Sequence, residues 1–174
     1  MIRKRDSIVK GILSLVLIFF AASQALAYGS RANIGNIKES ARESGPDFTL
    51  KDLQGRKFAL SETKGKPVLL IFSTTWCPYC IEEIPHLKTI YNLYSPKGLV
   101  MLQVDVKEPR DKVLHFAEKH KLPYRVLLDE TTDVAQSYGV QGVPTLVLLD
   151  QEGQIVCRQC SSVELLLDKL LMKK

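Results

Sequence analysis

Val68-Leu69-Leu70-Ile71-Phe72-Ser73-Thr74-Thr75-Trp76-Cys77-Pro78-Tyr79-Cys80 joins an apolar run to a pair of cysteines three residues apart. Val68 to Phe72 is short, rich in branched side chains and preceded by Gly65 and Pro67. It reads as a strand buried on both faces. After Cys80, the residues Ile81, Ile84, Leu87, Ile90, Tyr91 and Tyr94 recur at three or four, which is one face of a helix. Cys77 therefore falls where strand gives way to helix, and there the unpaired N–H groups and the positive end of the helix dipole favour a thiolate. Only the thiolate attacks disulfides. Cys80, one turn on, is within reach to close a ring and should be the less exposed and less acidic thiol. Pro78 suits the first helical turn, where no N–H is needed. A structural disulfide or half of a zinc site is the alternative reading of two such cysteines, and the strand and helix around them argue against it.

The chain has 174 residues and a net charge of +5. Residues 1–27 have the pattern of an export signal: a basic start (Arg3, Lys4, Arg5, Lys10), an apolar middle from Ile12 to Ala22, and the small-residue site Ala25-Leu26-Ala27. The segment is either a cleaved signal peptide or an uncleaved anchor that tethers the domain to a membrane. Four basic and one acidic side chain lie in it, so the remainder is only about +2, too little to argue for nucleic acid or a lipid surface. Residues 28–44 are polar and without period and read as a flexible arm; residues 45–174 form one domain. All four cysteines fall in two C-x-x-C pairs, which in an extracytoplasmic protein points to thiol and disulfide chemistry before metal.

Along that domain, Phe48 to Leu50 and Lys57 to Leu60 flank the turn Asp52-Leu53-Gln54-Gly55 and predict an N-terminal hairpin. Further strands are expected over Leu99–Val106, Tyr124–Leu128, Leu146–Leu149 and Gln154–Val156. Helices are expected from Pro109 to about His120, over Thr132–Tyr138, and after Ser161, which stands in capping-box spacing to Glu164. The alternation predicts an α/β domain, a central mixed sheet with helices on both faces.

Gly45-Pro46-Asp47-Phe48-Thr49-Leu50, Gly65-Lys66-Pro67-Val68-Leu69-Leu70, Trp76-Cys77-Pro78-Tyr79-Cys80, Glu83 with Pro85, and Gly142-Val143-Pro144-Thr145 follow one another in this order. Together they resemble the exported thioredoxin-fold proteins of the TlpA, ResA and CcmG group. The resemblance implies a thioredoxin-like fold with a strand-helix insertion, here about Pro109 to Leu128. It implies a cis bond before Pro144, with Val143 backbone groups beside Cys77 to hold a substrate segment as an added strand. Thioredoxins proper carry a buried acid six residues before the first cysteine, where this chain has Ile71. Glu83, at the group's acidic position after the motif, is the candidate replacement, against the alternative of a solvated helix charge.

Cys157-Arg158-Gln159-Cys160 has no counterpart in the resemblance. Residues three apart in a regular strand point to opposite faces, so a bridge between them requires a turn at Arg158-Gln159. The pair reads as a structural disulfide, a second redox pair, or free or metal-bound thiols. His86, His115 and His120 lack metal-ligand spacing, and Lys107 to Lys112 reads as an exposed charged loop and helix start.

The leading expectation is an extracytoplasmic thiol-disulfide oxidoreductase: Cys77 and Cys80 catalytic, Trp76, Pro78, Tyr79, Glu83, Val143 and Pro144 supporting, no metal and no dissociable cofactor. The resemblance implies protein thiols and disulfides as substrates, including apocytochrome c cysteines, and a membrane or soluble thiol reductase as electron donor. A peroxiredoxin-like peroxidase is the second reading, since Thr74-Thr75-Trp76-Cys77 matches part of that site, although Leu70 stands where its proline would be. A carrier of Cu(I) or Zn(II) through both cysteine pairs is the third.

Overall fold

The computed structural model describes residues 43–160 and 162–171. The residues read as a signal, those read as an arm up to residue 42, and Ser161, expected to cap the last helix, lie outside the described residues. Strands β1 (Thr49–Asp52) and β2 (Lys57–Ala59) make the expected hairpin, and β3 (Val68–Ser73) leads into α1 (Pro78–Tyr94). Then follow β4 (Val100–Val106), α2 (Arg110–His120), β5 (Arg125–Asp129), α3 (Asp133–Ser137), β6 (Thr145–Leu149), β7 (Ile155–Arg158) and α4 (Val163–Leu171). The sheet has seven strands in the order β2-β1-β5-β4-β3-β6-β7. β3, β4 and β5 run parallel, and the other neighbours pair antiparallel. The insertion, α2 with β5, thus widens the sheet between β4 and the hairpin.

Strand parity sorts the core. Val68, Leu70 and Phe72 pack on one face with Leu102, Val104, Leu127 and Tyr138, while Leu69 and Ile71 pack on the other with Leu87, Ile90 and Tyr94 of α1 and Leu167 of α4. Every β3 residue is buried, as a strand covered on both faces must be. Each of these side chains stabilises the fold by about 1.5–3 kcal/mol through burial alone. The Gly45 to Phe48 segment is explained by close approach: a Cβ on Gly45 would stand 3.0 Å from both Leu149 Cδ2 and the Tyr138 hydroxyl. That hydroxyl donates to the Pro46 carbonyl at 2.8 Å.

Three differences from expectation have physical reasons. Glu43 and Ser44, read as the end of the arm, belong to the sheet: the Ile155 N–H donates to the Glu43 carbonyl at 2.8 Å, and Ser44 bridges to Gln154. Strand β7 runs two residues past Val156, because Leu148 pairs with Cys157 and Val147 with Arg158 beyond a bulge. Ile81, expected on the buried face of α1, is 38% exposed because the first turn projects past the sheet, where Trp76 (66%) and Tyr79 (71%) are exposed too.

Candidate active site

Cys77 is the N-cap of α1, with extended backbone (φ −79°, ψ 116°), and Pro78 takes the first helical position. Its Sγ accepts the Cys80 N–H at 3.4 Å and lies 3.4 Å from the Val143 carbonyl oxygen, to which the thiol donates. The Val143–Pro144 bond is cis. Thr145 pairs with Phe72, which brings the Val143 end of the β6 segment to the end of β3 that carries the cysteines. Both cysteines are free thiols, 5% and 3% exposed, so the two sulfurs differ little in exposure. They differ in environment: burial first, and then the neighbouring Cys77, push the Cys80 thiol up to about 11, against the Thr74 N–H and the Ser73 hydroxyl, which favour its thiolate.

Glu83 lies in α1, three residues past Cys80. Its carboxylate bonds His86 Nδ1 at 2.5 Å, and His86 Nε2 bonds Glu164, tying α1 to α4. The carboxylates of Glu164 and then Glu83 raise the His86 pKa above its ordinary value.

Asp105 and Glu108 stand beside the motif. Ser73 and Asp105 are paired in the parallel β3–β4 ladder, so both side chains lie on the α1 face of the sheet. Asp105 is 1% exposed, and neither carboxyl oxygen has a hydrogen-bond partner among the described residues. Burial, and then the negative charge of Glu108, push its carboxyl up to about 8. Glu108 accepts the Thr75 N–H at 2.6 Å, the Thr75 hydroxyl at 2.7 Å and the Lys112 ammonium at 2.5 Å. Burial opposes its ionisation, yet Lys112 and the Thr75 donors outweigh burial and hold it below the ordinary carboxylate range. The charged run read as an exposed loop is therefore corrected at Glu108, which is 6% exposed and anchors the loop before Cys77. The available signal was a carboxylate between Val104 and Val106 in a strand otherwise apolar enough to be buried.

Cys157 and Cys160 form a disulfide, with Cα atoms 5.7 Å apart and the turn at Gln159 (φ +52°). Among the described residues no three His, Cys, Asp or Glu side chains gather as a metal site. The carrier reading, which needs both cysteine pairs on one ion, therefore has no ligand set among them.

A cysteine pair at a helix start, against a cis proline and in a mixed sheet of this order, defines a thiol-disulfide oxidoreductase on a thioredoxin fold. Over residues 41–158 the chain matches the AhpC/TSA family, and it belongs to that family. It is 34% identical over 155 residues to the thiol-disulfide oxidoreductase ResA of Geobacillus thermodenitrificans, covering 88% of this chain and 87% of the relative. To ResA of Halalkalibacterium halodurans it is 33% identical over 156 residues, covering 88% and 85%. Among solved structures it is similar to the thioredoxin domain of a thiol-disulfide oxidoreductase from Bacteroides vulgatus (29% identity, TM-score 0.68, 74% of this chain and 96% of that one). A thiol-disulfide oxidoreductase from Bacteroides fragilis compares equally well (27% identity, TM-score 0.69, 74% and 100%).

Proposed function

We propose that this chain reduces disulfides of other extracytoplasmic proteins, with Cys77 attacking, Cys80 resolving and no dissociable cofactor. The observation that carries the reading is the Cys77 sulfur at the start of α1 and 3.4 Å from the Val143 carbonyl, where an extended substrate segment can add as a strand. Trp76, Tyr79 and Ile81 give that edge an apolar rim. The Cys77 thiolate attacks one substrate sulfur, the substrate S–S bond breaks, and the other sulfur leaves as a thiolate. Cys80 then gives up its proton, for which Asp105 across the Ser73 pairing is an acceptor once it is ionised, above about pH 8, and the Thr74 N–H and Ser73 hydroxyl steady the thiolate. Its attack on Cys77 Sγ forms the Cys77–Cys80 bond and frees the substrate as a dithiol. A membrane or soluble thiol reductase returns the pair to the reduced state.

The signal pattern of residues 1–27 supports export or tethering, and the resemblance supports apocytochrome c cysteines as one client class. The Cys80→Ser variant, expressed in the native compartment, tests the reading because it stalls the mixed disulfide. Recovery of proteins joined to Cys77, apocytochromes among them, is the expected result. Peroxide consumption without captured thiol proteins would favour the peroxidase reading instead.

A further inference from the structure

Strand β7 is an edge of the sheet, and the second cysteine pair lies at its end. Cys157 stands opposite Leu148 in the ladder, and the turn at Gln159 brings Cys160 back to it. The bridge is half-buried and borders a groove of ≈350 Å³ lined by Arg158, Ser162, Leu165, Leu166 and Lys169. Leu165 is 65% exposed there, which gives the groove an apolar lip between two cations.

Its position relates it to the first pair. Cys77 Sγ lies 3.4 Å from the Val143 oxygen, and Cys160 Sγ lies 3.6 Å from the Leu146 oxygen. Val143 and Leu146 are three residues apart on one segment, so about 10 Å at most separates the two contact points. Cys160 therefore borders the stretch that docks substrate, while Cys157 stands level with Leu148 and Leu69, nearer the start of β3. A purely structural staple is a weak account of such a bridge. The stabilisation a disulfide gives through the unfolded chain grows with the loop it closes, and this loop spans only residues 157–160.

We propose that Cys157–Cys160 is a second redox centre that exchanges with Cys77 and Cys80 within one chain. The inference rests on Cys77 being the attacking thiol. The Cys77 thiolate attacks Cys160 Sγ, the Cys77–Cys160 bond forms, the Cys157–Cys160 bond breaks, and Cys157 leaves as a thiolate that takes up a proton. Cys80, as thiolate, attacks Cys77 Sγ, forms the Cys77–Cys80 bond and releases Cys160 as a thiolate. Two electrons have then moved from the first pair to the second, and the dithiol at the sheet edge can reduce a protein disulfide seated in the groove.

The full chain carrying Cys80→Ser tests this, since Cys77 can attack but the product cannot be resolved. Cys77 is kept reduced, the Cys157–Cys160 bridge is left intact, and the sample is quenched in acid, alkylated and mapped by peptide mass spectrometry. The expected result is a Cys77–Cys160 cross-link with Cys157 alkylated, in a proportion unchanged by tenfold dilution. A cross-link whose proportion falls with dilution overturns exchange within one chain. An intact Cys157–Cys160 bridge beside fully alkylated Cys77 overturns the proposal outright. The same variant offered a disulfide-containing protein separates the two readings: capture of that protein on Cys77 with no Cys160 cross-link leaves the proposed function standing and removes only the second centre.

Discussion

Replacing Asp105 with Asn is expected to stabilise the protein while slowing its chemistry. The Asp105 carboxyl is displaced from its ordinary 3.8 to about 8, by burial first and by Glu108 second. Between those values the folded protein holds a proton that the unfolded chain has released. Stability is therefore undiminished below about pH 4, falls as pH rises towards 8, and is constant beyond, with a slope of up to about 1.4 kcal/mol per pH unit. At pH 7 roughly 4 kcal/mol is withheld by this one group. An Asn of the same shape has no proton to take up, so Asp105→Asn should gain roughly 2–4 kcal/mol at pH 7 and match the parent near pH 4. Urea unfolding of the oxidised protein from pH 4 to 8 measures this, because Cys77 and Cys80 are then bonded and do not titrate. Stopped-flow release of a substrate from its Cys77 mixed disulfide should be slower in the variant above about pH 8, where the parent's Asp105 is ionised and can accept the Cys80 proton. A variant less stable than the parent at pH 7, or one keeping the parent's pH slope, would refute the reasoning.

Burial raises the Cys80 thiol even without its neighbour, so in the Cys77→Ser variant Cys80 should resist iodoacetamide at pH 8, and its alkylation rate should climb as pH rises above that. Trp76→Ala should change stability by less than about 0.5 kcal/mol, as its side chain is mostly exposed; KM for a protein disulfide should rise while a small disulfide is reduced as before. Leu70→Ala, at 0% exposure in the middle of β3, should lose about 2–5 kcal/mol in the same urea assay. His86→Ala should remove the tie between α1 and α4 at a loss below about 1 kcal/mol, because the ring is half-exposed. That loss should be largest in acid and fade as pH rises past the raised His86 pKa.

The strand, the cysteine turn and the helix after it were legible because the constraints there are local: an apolar run of strand length, a proline at the first helical position, and a period of three to four. The mixed sheet was legible for the same reason, through alternation and turn residues. Asp105 and Glu108 were not, since a carboxylate in an alternating strand and another in a charged run both suit solvent. Only the parallel pairing of β4 with β3 sets Asp105 beside Ser73, and only the fold of the loop sets Glu108 under Thr75. The link through Glu83, His86 and Glu164 was illegible for a related reason: spacing sets Glu83 and His86 on one helix face, but only the fold brings Glu164 of α4 against them. Ile81 kept the helical period and still lies in solvent, because period fixes a face and says nothing of where the underlying sheet stops.

The attachment of Glu43 and Ser44 to the start of β7 fixes where the chain enters the domain. Ile155 lies across from Leu149, and Leu149 from Val68, so the entry point is at the tail of β3, whereas Cys77 follows its head. The six residues of β3 put roughly 17 Å between those poles. Whatever precedes Glu43 is thus joined on the side remote from the reactive sulfur.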